Sequence, residues 1–100
     1  MPQENIKSNA GIKSNINTPK KYSVILLNDD FTPMDFVVII LMAVFHYNQT
    51  DAERLMWQIH NEGRCVVGSY SKDIALSKIE TLTKLARENG FPLRAIIREE

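Results

Sequence analysis

The chain has 100 residues, of which 44% are hydrophobic, and its 12 Lys and Arg residues balance 12 Asp and Glu residues to a formal net charge of zero. This length and composition fit one small globular domain with a modest core, and the neutral balance argues against a nucleic-acid partner, which would need a basic field. A single cysteine, Cys65, excludes a disulfide framework and a thiolate metal cluster.

The chain shows no pattern typical of a membrane protein. Its longest apolar run, residues 36–45, is shorter than the roughly 20 apolar residues that a bilayer requires. The first residues also lack the apolar core of a secretory signal. We therefore expect a soluble, cytoplasmic protein.

The first 20 residues differ in composition from those that follow. They are rich in Asn, Ser and Lys, and the apolar residues Ile6, Ile12 and Ile16 show no useful period. Such a composition predicts a flexible N-terminal extension over residues 1–20, followed by one folded domain over residues 21–100.

The folded part begins with a strand and a polar segment. The sequence YSVILL from Tyr22 is β-branched and apolar, which predicts a strand with much of its surface buried. Three polar side chains follow at once, Asn28, Asp29 and Asp30. An amide and two carboxylates at the end of a strand favour a turn, a cap or a binding site.

The first helix should start after this segment. Thr32 suits the N-cap position, Pro33 the first helical position and Asp35 the first turn. The sequence FVVIILMAVFHY then extends the helix to Tyr47. Because it is apolar nearly all round, we expect the central helix of the core.

The second helix has the same kind of start. Thr50 and Glu53 have the spacing of a capping box, and Gly63 is a suitable C-terminal stop. Residues three and four positions apart share a helix face. One face therefore carries Met56, Ile59 and His60.

The remaining elements complete an α+β fold. RCVVGSY predicts a second strand, Ser71 caps a third helix that stops at Gly90, and LRAIIRE after Pro92 alternates like a last strand. Three short strands cannot bury both of their faces alone. The order β-α-α-β-α-β therefore predicts a three-stranded antiparallel sheet with three helices packed on one face.

One enzyme class can be compared with the polar segment directly. A strand followed by Asp-x-Asp-x-Thr is the nucleophile loop of haloacid-dehalogenase-like phosphatases, and this chain has NDDFT at that point. The nucleophilic carboxylate would be Asn28, whose amide cannot form an acyl-phosphate. The chain is also too short for the rest of such an enzyme, so we do not expect a phosphatase.

Metal and nucleophile sites are also disfavoured. Asp29 and Asp30 are adjacent, so on an extended chain they point to opposite sides rather than at one ion. His46 and His60 lie on different predicted helices, and no third ligand is placed near either. Cys65 lies in an apolar strand, where a thiol is usually an inert small hydrophobe. The sequence thus predicts no catalytic residue, no metal and no cofactor.

The polar segment and the second helix together favour a binding site. Taken singly, Asn28, Asp30, Met56 and His60 are each more often structural than functional. A strand end with an amide and carboxylates beside an apolar helix face with an imidazole would make an apolar hole with a polar rim. Carboxylate, amide and imidazole groups can all accept hydrogen bonds from an ammonium group. This combination suits an amine attached to an apolar body.

Three blocks carry a family resemblance: KYSVILLNDDFTPMDFV, AERLMWQIHNEG and ARENGFPL. From Lys20 onwards the chain resembles the bacterial ClpS family, adaptors that deliver N-degron substrates to the ClpAP protease. The resemblance covers the whole predicted fold and implies three antiparallel strands with three helices. It also implies a non-enzymatic adaptor that binds proteins whose first residue is Leu, Phe, Tyr or Trp.

The resemblance implies roles for individual residues. Asn28, Asp30 and His60 would hold the free α-amino group of the substrate, Asp30 through a water, and Asp29 would add negative charge beside them. Met34 would act as a gate that excludes β-branched first residues. The hydrophobic pocket for the first side chain would be lined by Leu26, Leu27, Thr32, Met34, Val37, Met56, Ile59 and Leu93.

The resemblance also implies partners. Asp73 and Lys78 on the third helix would contact the N-terminal domain of the ClpA unfoldase, which passes substrates to ClpP. The N-terminal extension would be engaged by the unfoldase pore, and the adaptor would act as a monomer. The alternative is a small ribosome-associated or regulatory protein-interaction domain with a similar α/β core, which would not discriminate a free α-amine.

Overall fold

The computed structural model describes residues 19–100, so the predicted N-terminal extension, apart from its last two residues, lies outside the described residues. The elements are β1 (Tyr22–Leu27), α1 (Met34–Ala43), α2 (Gln49–Glu62), β2 (Arg64–Tyr70), α3 (Lys72–Glu88) and β3 (Arg94–Glu99). Their order confirms the predicted β-α-α-β-α-β fold. Over residues 19–100 no helix is both long and apolar enough to cross a membrane.

The sheet has β1 at its centre, in the antiparallel order β2-β1-β3. Leu26 lies opposite Cys65 on one side and Ala95 on the other. Because β1 has a partner at both edges and an apolar sequence, its four middle residues are all buried, including Ser23. The central strand therefore gives its C-terminal end, where the polar segment begins, a rigid support.

The core lies between one face of this sheet and the helices. Val24 and Leu26 of β1 and Val67 of β2 pack with buried side chains of all three helices, among them Ile40, Ile59 and Leu82. β2 alternates in exposure, with Cys65 and Val67 buried and Val66 open to solvent. This alternation is the pattern of a sheet covered by helices on one face.

The first helix differs from its prediction in length and burial. It ends at Ala43, and it cannot extend to Tyr47 because His46 adopts a positive φ of 64° that an α-helix does not allow. Its apolar circumference is not all buried: Ile39 is 55% exposed and Met42 is 38% exposed. α1 thus covers the core with one side only.

The predicted N-caps were placed one or two residues from the observed ones. The N-cap of α1 is Pro33, not Thr32, and it makes no side-chain hydrogen bond. The N-cap of α2 is Asn48 rather than Thr50, and its Oδ1 accepts a hydrogen bond of 2.8 Å from the N–H of Asp51. Asn is at least as good an N-cap as Thr, which accounts for the shift along the chain.

Candidate functional site

One backbone hydrogen bond joins the end of β1 to the end of α2. The N–H of Asn28 donates to the carbonyl oxygen of Gly63 at 2.9 Å. Gly63 closes α2 in the left-handed region, at φ 89°, where a residue without a Cβ is favoured. The bond brings the polar segment beside the last turn of α2, which carries His60.

The carboxylate of Asp29 shapes the loop that follows. Its Oδ1 accepts hydrogen bonds from the N–H groups of Phe31 (2.8 Å) and Thr32 (2.7 Å), and its Oδ2 accepts one from the Thr32 hydroxyl (2.8 Å). Burial raises the pKa of Asp29, but the hydrogen bonds from Thr32 and Phe31 outweigh it and hold the pKa below its usual value. Asp29 is therefore an anion at neutral pH, and its carboxylate is hydrogen-bonded within its own loop. The Thr32 hydroxyl, which was predicted to cap α1, is one of its partners.

The loop, the start of α1 and the last turns of α2 enclose a cavity of about 320 Å³. Its volume lies at the small end of the range for ligand sites, roughly 300–1,000 Å³. Its lining combines polar and apolar side chains. The cavity is lined by Asn28, Asp29, Asp30, Phe31, Thr32, Pro33, Met34, Val37, Met56, Ile59 and His60.

The structure brings together all four residues predicted to surround an amine, which are Asn28, Asp29, Asp30 and His60. Among residues 19–100, the side chains of Asn28, Asp30 and His60 make no side-chain hydrogen bond, and all three residues are exposed. Their acceptors are therefore accessible to a ligand, whereas those of Asp29 are already engaged.

The predicted hydrophobic lining is found in part. Five of its residues line the cavity: Thr32, Met34, Val37, Met56 and Ile59. The other three lie next to it in the fold but are not among its lining residues: Leu26 and Leu93 are almost fully buried, and Leu27 is half-buried at the end of β1. Phe31 and Pro33, which sequence reasoning missed, do line it. Their position between Asp29 and Met34, on the loop that wraps the cavity, was the available signal.

The two residues predicted for the unfoldase interface lie away from the cavity, on α3. Asp73 is exposed in the first turn of the helix. Lys78 is half-buried; its Nζ donates to the carbonyl oxygen of Val44 at 2.8 Å and lies 5.5 Å from the centre of the Tyr70 ring. Lys78 therefore has a structural contact at the end of α1, besides any contact with a partner.

The fold is that of a small α+β domain, and its cavity is lined by both polar and apolar side chains. A family model for the ATP-dependent Clp protease adaptor protein ClpS matches residues 17–96. The chain therefore belongs to the ClpS family, which is a family of adaptors rather than of catalysts, and it is an adaptor of the Clp protease. This confirms the resemblance seen in the sequence.

Similar proteins agree with this assignment. The ATP-dependent Clp protease adapter protein ClpS of Acetivibrio thermocellus is 55% identical over 82 residues, which are 82% of this chain and 83% of that protein. The protein of the same name from Wolinella succinogenes is 51% identical over 81 residues, which are 81% of this chain and 79% of that protein. The structure of Agrobacterium tumefaciens ClpS2 bound to L-phenylalaninamide has a TM-score of 0.80 and 42% identity, and the match covers 83% of this chain and 100% of that one.

Proposed function

We propose that this adaptor binds proteins with a free N-terminal Leu, Phe, Tyr or Trp and delivers them to the N-terminal domain of a ClpA-type AAA+ unfoldase for degradation by ClpP. The observation that carries the proposal is the cavity itself, which combines accessible acceptors with an apolar wall. L-Phenylalaninamide, the ligand of the Agrobacterium relative, carries a free α-amine and a benzyl side chain on the same carbon atom. Both parts of such a ligand have a counterpart in this cavity.

The polar side of the cavity recognises the α-ammonium group. The side-chain oxygens of Asn28 and Asp30 and a ring nitrogen of His60 accept its three hydrogens, Asp30 through a water. A hydrogen bond to a charged group contributes roughly 1.5–3 kcal/mol. Asp29 adds negative charge nearby and holds the loop in place. An acetylated N-terminus has one N–H and no charge, so it would leave most of these acceptors without a partner, and sites of this kind reject such analogues strongly.

The apolar side takes the first side chain of the substrate. Burial of a Leu or Phe side chain contributes roughly 1.5–3 kcal/mol. Together with the hydrogen bonds to the amine, and after the cost of ordering the ligand, the binding free energy should be about −8 kcal/mol, which corresponds to micromolar affinity. Met34 is 38% exposed on the wall of the cavity, which suits a gate against β-branched first residues.

The α3 surface is the proposed docking face for the unfoldase, through Asp73 and Lys78. The N-terminal extension, residues 1–20, would be the segment that the unfoldase pore engages. The chain itself has no catalytic role in this proposal. It acts as a cytoplasmic monomer without a cofactor, and the unfoldase supplies the ATP-driven work.

Fluorescence anisotropy with two labelled peptides tests the amine assignment. A peptide that starts with leucine should bind with micromolar affinity, and its Nα-acetylated form should show no saturable binding in the same range. Equal affinities for the two forms would refute the assignment. That result would favour the alternative, a regulatory or ribosome-associated interaction domain that does not sense the amine.

A further inference from the structure

An apolar groove runs between α1 and α2 on the surface of the domain. It has a volume of about 630 Å³. Three of its side chains are large, apolar and open to solvent without contributing to the cavity: Ile39 (55% exposed), Met42 (38%) and Trp57 (50%). Large apolar side chains clustered in this way on a small domain mark a binding surface more often than scattered single ones do.

The groove is continuous with the cavity. Met34 and Met56 line both of them. The Trp57 ring also packs edge-on against the imidazole of His60, with ring centres 5.8 Å apart. From Met34 to Met42 the helix rises by about 12 Å, at about 1.5 Å per residue. A ligand anchored in the cavity can therefore extend along the groove for the length of a few residues.

The charges that line the groove have one sign. Asp35 and Glu53 are its only charged lining residues in the described part of the chain, and both are exposed. Glu53 accepts a hydrogen bond from Gln49 at 3.1 Å, which keeps its carboxylate on this side of α2. The groove thus favours an apolar side chain with basic neighbours and disfavours acidic ones.

We propose that this groove binds the substrate chain just after its first residue and takes an apolar side chain from the third position. In an extended chain the third side chain points to the same side as the first, about 6.6–7 Å further along. This inference rests on the proposed function, because the cavity must first hold the N-terminal residue. It adds a second determinant of which proteins are bound, namely an apolar third residue without acidic neighbours.

The test uses labelled peptides that start with phenylalanine and differ only at the third position, measured on the full chain. Leucine at the third position should bind about fivefold tighter than glycine, as expected for partial burial of one apolar side chain, and aspartate should bind weaker than glycine. Ile39→Ser should remove the gain from leucine and leave the glycine peptide unchanged. Ile74→Ser, on a similarly exposed side chain of α3 (50%), is the matched control and should retain the gain.

L-Phenylalaninamide as a competitor separates this inference from the proposed function. It reports the cavity alone, so its affinity should be the same in the wild type and in Ile39→Ser. If phenylalaninamide binds but leucine and glycine peptides bind equally, the groove proposal is overturned and the cavity stands. A gain from leucine only at the second or fourth position would also overturn it, as would self-association of the wild type that Ile39→Ser abolishes. If phenylalaninamide does not bind at all, the proposed function fails first.

Discussion

The cavity and the α3 surface, two regions with different proposed partners, are built in different ways. The cavity draws on two separate segments, residues 28–37 and 56–60, which are joined by the Asn28–Gly63 hydrogen bond, and the loop bonds of Asp29 shape the first of them. The α3 surface is one side of a single helix, on which Asp73 is simply exposed. A small ligand needs convergent groups that are fixed in advance, whereas a protein partner can supply complementarity over a wide and flat area.

The largest difference between the two regions should appear when one of the polar groups that converge on the cavity is removed. His60→Ala should weaken binding of a leucine-initiated peptide by roughly 10- to 150-fold, the equivalent of about 1.5–3 kcal/mol for a hydrogen bond to a charged group. His60 is exposed, so the free energy of unfolding should hardly change. Peptide titration by anisotropy and chemical denaturation measure the two quantities.

The other histidine provides the control for this variant. His46 is exposed and lies outside the cavity, and Asn tolerates its positive φ. His46→Asn should therefore bind the peptide like the wild type. Equal losses in both variants would show that a general effect, rather than the amine site, is being measured.

Charge reversal on α3 should affect docking to the unfoldase and not the binding of peptides. Asp73→Lys should weaken binding to the isolated N-terminal domain of ClpA by about tenfold, within the range for a close charge pair at an interface, and leave peptide affinity unchanged. Biolayer interferometry with the immobilised domain measures the first and anisotropy the second. Unchanged docking would remove Asp73 from the interface.

Lys78 is a less suitable probe of the same surface. Its Nζ bond to Val44 contributes to the end of α1, so Lys78→Ala should lower the free energy of unfolding by about 0.5–1.5 kcal/mol as well as affect docking. Thermal unfolding of both α3 variants separates the two roles. Asp73→Lys places a cation in the first turn of α3, where negative charge is favourable, so it should cost only about 0.3–1 kcal/mol of stability.

A smaller change should follow from widening the gate. Met34→Ala removes bulk from the cavity wall, so peptides that start with isoleucine or valine should bind within several-fold of the leucine peptide, rather than not at all. The leucine peptide itself should lose only part of its affinity. A variant that still rejects both β-branched residues would show that the selection is made elsewhere.

The smallest effect concerns pH and the loop. The pKa of Asp29 is lowered by folding, so its contribution to stability is present above its ordinary unfolded pKa and is lost as the pH falls through the lower folded value. Asp29→Asn should therefore flatten the decline in stability below about pH 4, relative to the wild type. Denaturation series at pH 3 and pH 7 measure this difference; Asp35→Asn, on an exposed acid, is the control.

Local patterns in the sequence were enough to predict the strands and the helix face of the cavity. β1 and β2 have the predicted bounds, because a short β-branched apolar run that ends at polar residues or glycine strongly favours a strand. The common face of Met56, Ile59 and His60 follows from helical spacing alone, and all three line the cavity. The meeting of this face with Asn28 could only be suggested, since the bond to Gly63 joins residues 35 positions apart in the chain.

The sequence could not predict features for which one group has two possible hydrogen-bond partners. Thr32 could have capped α1, but the Asp29 carboxylate binds its hydroxyl instead. The residues VFHY after Ala43 continue the largely apolar pattern of the helix, and only the positive φ of His46 shows that the helix cannot reach Tyr47. Apolarity likewise does not tell whether a side chain is buried or exposed. Leu93, predicted for the cavity, is almost fully buried, whereas Ile39, in the helix predicted as the centre of the core, is exposed in the groove.

The bond between Asn28 and Gly63 uses main-chain atoms only. A substitution at position 28 or at position 60 therefore alters the chemistry of the rim without removing the tie that holds its two halves together. The main chain thus fixes the geometry of the cavity, and the side chains at its rim fix which ligands it prefers. A duplicated copy of such a protein could acquire a new ligand spectrum through a handful of side-chain changes while it retained the same framework.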